Sequence, residues 1–132
     1  MKTSLVIDAG VLSLHFAGDQ RVGRYFNAVD DGEAMGLVAE ANLAEYYYQT
    51  CRKLGRESAD TRYLLVRASK LAAVHDRDLT RLAGLERCRQ QLDLSLADCF
   101  ALALAKRERA LLLTTDSELR GARDVQVRFF KV

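Results

Sequence analysis

Four acidic residues stand where a solvated surface charge is not expected. Asp8 closes the apolar run Leu5-Val6-Ile7, and Asp116 closes Leu111-Leu112-Leu113-Thr114-Thr115. Glu45 interrupts the segment Asn42-Leu43-Ala44-Glu45-Tyr46-Tyr47-Tyr48, and Asp98 opens a second apolar segment in Ser95-Leu96-Ala97-Asp98-Cys99-Phe100. Brought together, such carboxylates repel one another. Two unit charges about 5 Å apart cost roughly 3 kcal/mol at an effective dielectric near 20. Four cannot all stay ionised and close without counter-charge. Mg²⁺ or Mn²⁺ supplies it, because hard cations take carboxylate oxygen and keep several waters. One ion can lower the pKa of a bound water to make a nucleophile; a second can stabilise the leaving 3′ oxygen of a phosphodiester. The chemistry these residues fit is metal-dependent hydrolysis of a nucleic-acid backbone, with no protein nucleophile.

The acids act together only if the fold gathers them. Residues 4–8 read as a strand buried on both faces. Short helices follow at 11–17 and 20–30, the second with Val22, Tyr25, Phe26 and Val29 at helical spacing. Gly32 breaks the chain before a strand near 34–38. A long helix spans about 40–54, with Ala44, Tyr47, Tyr48 and Cys51 assigned to one face and Gly55 at its end. A helix at 57–70, a strand at 71–74 and a helix at 78–91 come next. The Ala- and Leu-rich helix 96–109 leads into a strand at 110–114, a short helix near 116–121 and a final strand at 125–130. This β-α repetition predicts an α/β fold: a parallel sheet with helices on both faces.

In such folds ligands collect at the carboxyl ends of the strands. Asp8 and Asp116 occupy those ends. Asp98 lies in the first turn of a helix running antiparallel to the strands, and Glu45 is near the start of its own helix. Both therefore fall on the same edge of the sheet. Each acid also has a plainer explanation. Ser95-Leu96-Ala97-Asp98 and Thr115-Asp116-Ser117-Glu118 resemble helix N-terminal capping patterns, and Asp8 can cap the helix beginning near Val11. Glu45, which borders the apolar face, is the hardest to dismiss.

The bulk properties fit one domain over 1–132. Hydrophobic residues make up 49% and charged residues 29%, which excludes disorder. No stretch approaches the roughly 20 apolar residues of a membrane span. The N-terminus, broken early by Asp8, does not read as a signal peptide. With Cys51, Cys88 and Cys99 widely spaced and lacking CxxC pairs, the expectation is packed thiols in a cytoplasmic protein. Net charge is only +2, but with the four acids compensated the remainder is markedly basic and rich in Arg. Such a surface suits phosphate. Arg21, Arg24, Arg52, Arg56 and Arg77 are candidate contacts. His15 and His75 lack a ligand-spaced partner and read as structural, so zinc is not expected. Of the consecutive tyrosines, Tyr47 and Tyr48 are assigned to the core, and Tyr46 is a candidate for a dimer or partner groove.

Across nearly its whole length the sequence resembles the PIN-domain ribonucleases, in particular the VapC-type toxins of toxin–antitoxin pairs. The resemblance rests on Val6-Ile7-Asp8-Ala9-Gly10-Val11-Leu12, Ala41-Asn42-Leu43-Ala44-Glu45-Tyr46, Leu94-Ser95-Leu96-Ala97-Asp98-Cys99-Phe100-Ala101-Leu102-Ala103 and Leu112-Leu113-Thr114-Thr115-Asp116. It implies that Asp8, Glu45, Asp98 and Asp116 are the metal-binding acids and that Thr114 orients the site. It implies a three-layer α/β/α sandwich with five parallel strands in the order 3-2-1-4-5, Mg²⁺ or Mn²⁺ dependence and endonucleolytic cleavage of RNA. A homodimer and a small VapB-like antitoxin, whose tail lies across the active groove, are the implied partners. One position departs: the family places Ser, Thr or sometimes Asn two residues after the first acid, where this chain has Gly10.

Other readings compete. A degenerate PIN fold serving only as a binding module is favoured by Gly10 and opposed by the four acids. A nuclease that processes RNA without being a toxin fits the same site. A haloacid-dehalogenase-type phosphatase needs an Asp where Gly10 stands. A receiver domain needs a Lys where Thr114-Thr115 stands.

Overall fold

Apolar runs too short for a helix and too hydrophobic for a solvated face become the central strands. A computed structural model describes residues 2–89 and 92–132. Strand β1 (Thr3–Ile7) runs between β2 (Ala34–Ala39) and β4 (Leu111–Thr114), with β3 (Ala72–Val74) and β5 (Gln126–Phe129) at the edges. All four pairings are parallel, in the order β3-β2-β1-β4-β5. Val6 is paired with Leu37 on one side and Leu112 on the other. The helices are α1 (Ala9–Phe16), α2 (Gln20–Asp30), α3 (Glu40–Leu54), α4 (Arg56–Ala68), α5 (Arg77–Arg89) and α6 (Leu96–Glu108). A 3-10 turn spans Ser117–Gly121. This is the expected α/β/α sandwich. Gln90 and Gln91, which the sequence reading placed at the end of the fifth helix, lie outside the described residues.

Strand alternation divides the core into two layers. Val6, Leu112 and Ala39 face α5 and α6, where Leu79, Leu102 and Leu104 pack. Leu5, Ile7, Leu113 and Val38 face the other helices, against Leu12, Val22, Phe26 and Leu43. The sheet is thus covered on both sides, which is why its strands read as continuous apolar runs. Gly55 has φ 92° and ends α3 where α4 begins, a left-handed corner that a side chain would strain.

The phase of α3 differs from the sequence expectation. Its buried positions are Asn42, Leu43, Tyr46 and Thr50. Tyr46 is 1% exposed and stacks on Phe16, ring centroids 5.7 Å apart. Tyr48, assigned to the core, is 46% exposed with the Arg52 guanidinium over its ring. Tyr47 is half-buried; its hydroxyl donates to Asp60 at 2.5 Å and its ring meets Tyr63 edge-on. Ala44 is exposed too. The true stripe contains two polar residues, so hydropathy favoured the wrong face. Tyr46→Ala is expected to cost about 3 kcal/mol in urea unfolding, and Tyr48→Ala less than about 0.5 kcal/mol. Equal losses would reverse the phase. The cysteines are free: Cys99 is buried and Cys51 partly so, while Cys88 is exposed and not packed as expected.

Candidate active site

Where the chain leaves the sheet to start a helix, it needs an acceptor for orphaned N–H groups. Asp8 follows β1 and caps α1, with the Val11 N–H donating to its Oδ1 at 2.9 Å. Asp116 follows β4 and caps the 3-10 turn, with the Glu118 N–H donating to its Oδ1 at 2.9 Å. Asp98 and Ser95 form a reciprocal capping box on α6. The Asp98 N–H donates to Ser95 Oγ at 3.1 Å, and the Ser95 N–H donates to Asp98 Oδ2 at 3.2 Å. Capping and clustering are therefore not rivals. Capping is what carries three carboxylates to one edge of the sheet.

Glu45 caps nothing and makes no hydrogen bond or ion pair with a described residue. It projects from α3 toward the same place. All four acids line one open pocket of about 350 Å³, together with Gly10, Ser13, Gln49, Lys53, Ser95, Thr115 and the C-terminal Val132. Asn42 fixes α3 against the start of α6: its side-chain amide donates to the Ala97 carbonyl at 3.0 Å, one residue before Asp98. Asn42 is fully buried, and its Oδ1 has no partner among the described residues.

The proximity of the acids shows in their acidity. Burial pushes the Asp8 carboxyl up; bonds from Thr114, Val11 and the Thr115 backbone hold it down, and the charge of Asp116 pushes it up further. Glu45 is raised by partial burial, then by the charges of Asp8 and Asp116. Asp98 is pushed up to about 7, first by burial and then by the neighbouring Asp116, whose carboxylate favours a proton on Asp98. Thr114, fully buried, joins the two strand ends: its hydroxyl donates to Asp8 Oδ2 at 2.5 Å and accepts the Asp116 N–H at 2.9 Å.

A set of crowded carboxylate oxygens, three of whose groups resist ionisation, fits a divalent hard cation. Among the described residues, no three His, Cys, Asp or Glu side chains already stand as a closed ligand set. Asp8 and Asp98 are turned instead to Thr114, Val11 and Ser95.

None of the arginines singled out in the sequence lines the pocket. Arg21 pairs with Asp19 at 2.7 Å, Arg24 bonds the Tyr25 hydroxyl and Arg56 lies 3.6 Å from Asp60. Arg52 covers Tyr48, and Arg77 starts α5 without lining the pocket. His15 stacks flat on Phe26, centroids 3.8 Å apart. The cation in the pocket is Lys53, which the sequence reading missed. Its signal was the spacing Glu45, Gln49, Lys53, which puts the three on one stripe of α3.

The fold has close counterparts among solved structures. VapBC2 from Rickettsia felis, bound to a promoter DNA fragment, superposes with TM-score 0.76 at 14% identity, covering 96% of this chain and 98% of that one. VapBC from Salmonella typhimurium, also DNA-bound, gives 0.75 at 12% identity, covering 98% of each. VapC20 from Mycobacterium tuberculosis, described as a toxin cleaving the sarcin–ricin loop, gives 0.69 at 17% identity, covering 92% and 98%. No curated protein matches the sequence. The PIN domain family matches residues 5–125, from within β1 to the residue before β5. The chain belongs to the PIN domain family.

Proposed function

We propose that this chain is a divalent-metal-dependent endoribonuclease and the toxin of a VapBC-type toxin–antitoxin pair. The observation that carries the reading is the convergence of Asp8, Glu45, Asp98 and Asp116 on one pocket at the carboxyl edge of the sheet. The raised pKa values of Asp8, Glu45 and Asp98 mark a site whose negative charge is not fully balanced by the protein itself. Asp8, Glu45, Asp98 and Asp116 would hold Mg²⁺ or Mn²⁺. When bound, the ion would supply an activated water and neutralise charge on the cleaved phosphodiester.

The remaining work belongs to this chain's own residues. Thr114 fixes the spacing of Asp8 and Asp116 through one hydroxyl. Lys53 brings the pocket a positive charge suited to a backbone phosphate. The Ser95–Asp98 box and the Asn42 anchor hold the start of α6 to the site.

The resemblance to VapBC assemblies supports a small antitoxin and a second copy of the chain as partners in the cytoplasm. Leu54, Leu64 and Leu65 leave apolar surface exposed on α3 and α4 for such contacts. Among the described residues no helix is long and apolar enough to cross a membrane.

The test is cleavage of single-stranded RNA by wild type and Asp116→Asn. Wild type is expected to cut with Mg²⁺ or Mn²⁺, to stop when EDTA removes the metal, and to recover when Mn²⁺ is restored. Asp116→Asn is expected to be inactive throughout. Cutting that survives both EDTA and Asp116→Asn would place the activity elsewhere.

A further inference from the structure

Gly10 and Thr115 both line the carboxylate pocket, and they compete for one volume. A Cβ placed on Gly10 would lie 1.8 Å from Thr115 Oγ1 and 3.0 Å from Thr115 Cβ. Any side chain at position 10 must therefore displace the Thr115 hydroxyl. Backbone freedom does not explain the glycine. Gly10 sits inside α1 and is not among the residues of positive φ, and within a helix glycine is less favourable than alanine. What the missing Cβ provides is room.

The group that fills the room is uncommitted. The hydroxyl of Thr114 is bound to Asp8 and Asp116, whereas that of Thr115 makes no hydrogen bond with a described residue. Thr115 is also half-exposed, so its hydroxyl is within reach of a ligand. Around it stand carboxylates, which accept hydrogen bonds and, once ionised, donate none. An anionic phosphodiester needs donors. The pocket supplies few: Lys53, Gln49, Ser13 and Thr115, since Ser95 Oγ serves the helix cap.

We propose that Thr115 is a substrate-binding residue whose hydroxyl, admitted by the missing Cβ of Gly10, donates to a phosphate oxygen of the bound nucleic acid. The hydroxyl that position 10 lacks is thereby supplied from position 115, just past the end of β4. This inference rests on the nuclease reading.

Its test separates the hydroxyl from the volume. The probe is a fluorescently labelled, mixed-sequence single-stranded RNA, with affinity read by anisotropy in Ca²⁺. Mn²⁺ binding is read by calorimetry, and folding by melting temperature. Thr115→Val is expected to keep the melting temperature and Mn²⁺ affinity of wild type while weakening RNA binding on the order of tenfold. Thr115→Ser is expected to bind as wild type does. Gly10→Ser alone is expected to lower the melting temperature through the clash. Combining it with Thr115→Ala should relieve that loss and bind RNA more tightly than Thr115→Ala alone, a coupling that independent sites do not show.

Unchanged RNA affinity in Thr115→Val overturns the inference, and so does a double variant no better than Thr115→Ala. If Thr115→Val does not fold, the comparison of Thr115→Ser, Thr115→Ala and the double variant decides by the same criteria. Wild type that binds Mn²⁺ and cuts RNA while these variants fail to differ sinks this inference alone. Wild type that does neither sinks the nuclease reading and this inference with it.

Discussion

Asp8→Asn is expected to abolish cleavage and, at the same time, to stabilise the metal-free protein. The two effects share a cause. Asp8 is 4% exposed, with burial and Asp116 both disfavouring its charge. An amide of the same shape keeps an oxygen for the Val11 N–H and turns an NH₂ toward Thr114, whose oxygen can accept. The charge is removed while most of the bonding survives. Stability in EDTA should therefore rise by about 1 kcal/mol, a few degrees in melting temperature for a domain of this size. Cleavage should fall on the order of a hundredfold or more, because a lost anionic ligand removes charge stabilisation worth several kcal/mol. Thermal unfolding in EDTA and initial cleavage rates in Mn²⁺ measure the two sides. Activity within about threefold of wild type would exclude the pocket as the reacting site. A large loss of stability would mean that Asp8 serves the fold more than the chemistry.

That opposition of stability and function explains why the acids were legible in the sequence. A carboxylate at the end of Leu5-Val6-Ile7 or Leu111-Leu112-Leu113 is costly for the fold, so it stands out against its neighbours. The strands were legible for a related reason: burial on both faces leaves an unbroken apolar run, and Gly32 and Gly55 punctuate the chain at left-handed corners. The sheet order was not in the periodicity and came from the family resemblance. The phase of α3 was misread because Asn42 and Thr50 are buried polar residues. Asn42 is inside because it bridges to Ala97, a contact 55 residues away in sequence that no local pattern encodes. The relation of Gly10 to Thr115 was hidden in the same way. Position 10 looked like a lost hydroxyl until two adjacent strands placed Thr115 in its space. Of the candidate arginines, Arg21, Arg24, Arg52 and Arg56 proved to be tied to local carboxylates and rings.

The metal-free protein should lose stability as pH rises from about 4 to about 7, and divalent metal should remove most of that loss. The pKa of Asp98 is raised from 3.8 to about 7 in the folded state, and those of Asp8 and Glu45 are raised as well. Across that window the folded chain holds protons that the unfolded chain has released. Linkage then makes these groups favour the folded state below the unfolded value and disfavour it increasingly as pH climbs through the folded value. The ion-paired acids run the other way but in a different range. Arg107 lowers Asp76 and Arg21 lowers Asp19, so their contribution is lost only as pH falls below about 4. Within pH 4 to 7 His15, held low by burial, runs against the cluster and adds stability as pH rises, so the cluster's signature has to be isolated. Asp98→Asn isolates it: in EDTA, its melting temperature should vary less over this range than that of wild type. Bound metal replaces the protons as counter-charge, so Mn²⁺ affinity should climb with pH and level off above about 7, by up to about tenfold per pH unit below it. At a fixed Mn²⁺ concentration about a hundredfold above the Kd at pH 8, the metal should add about 2.7 kcal/mol there and less at pH 5. Melting curves with EDTA and with Mn²⁺ at those two values give the comparison. An increment independent of pH, or a wild-type slope unchanged by Asp98→Asn, would mean that the four carboxylates do not share their charge with a metal.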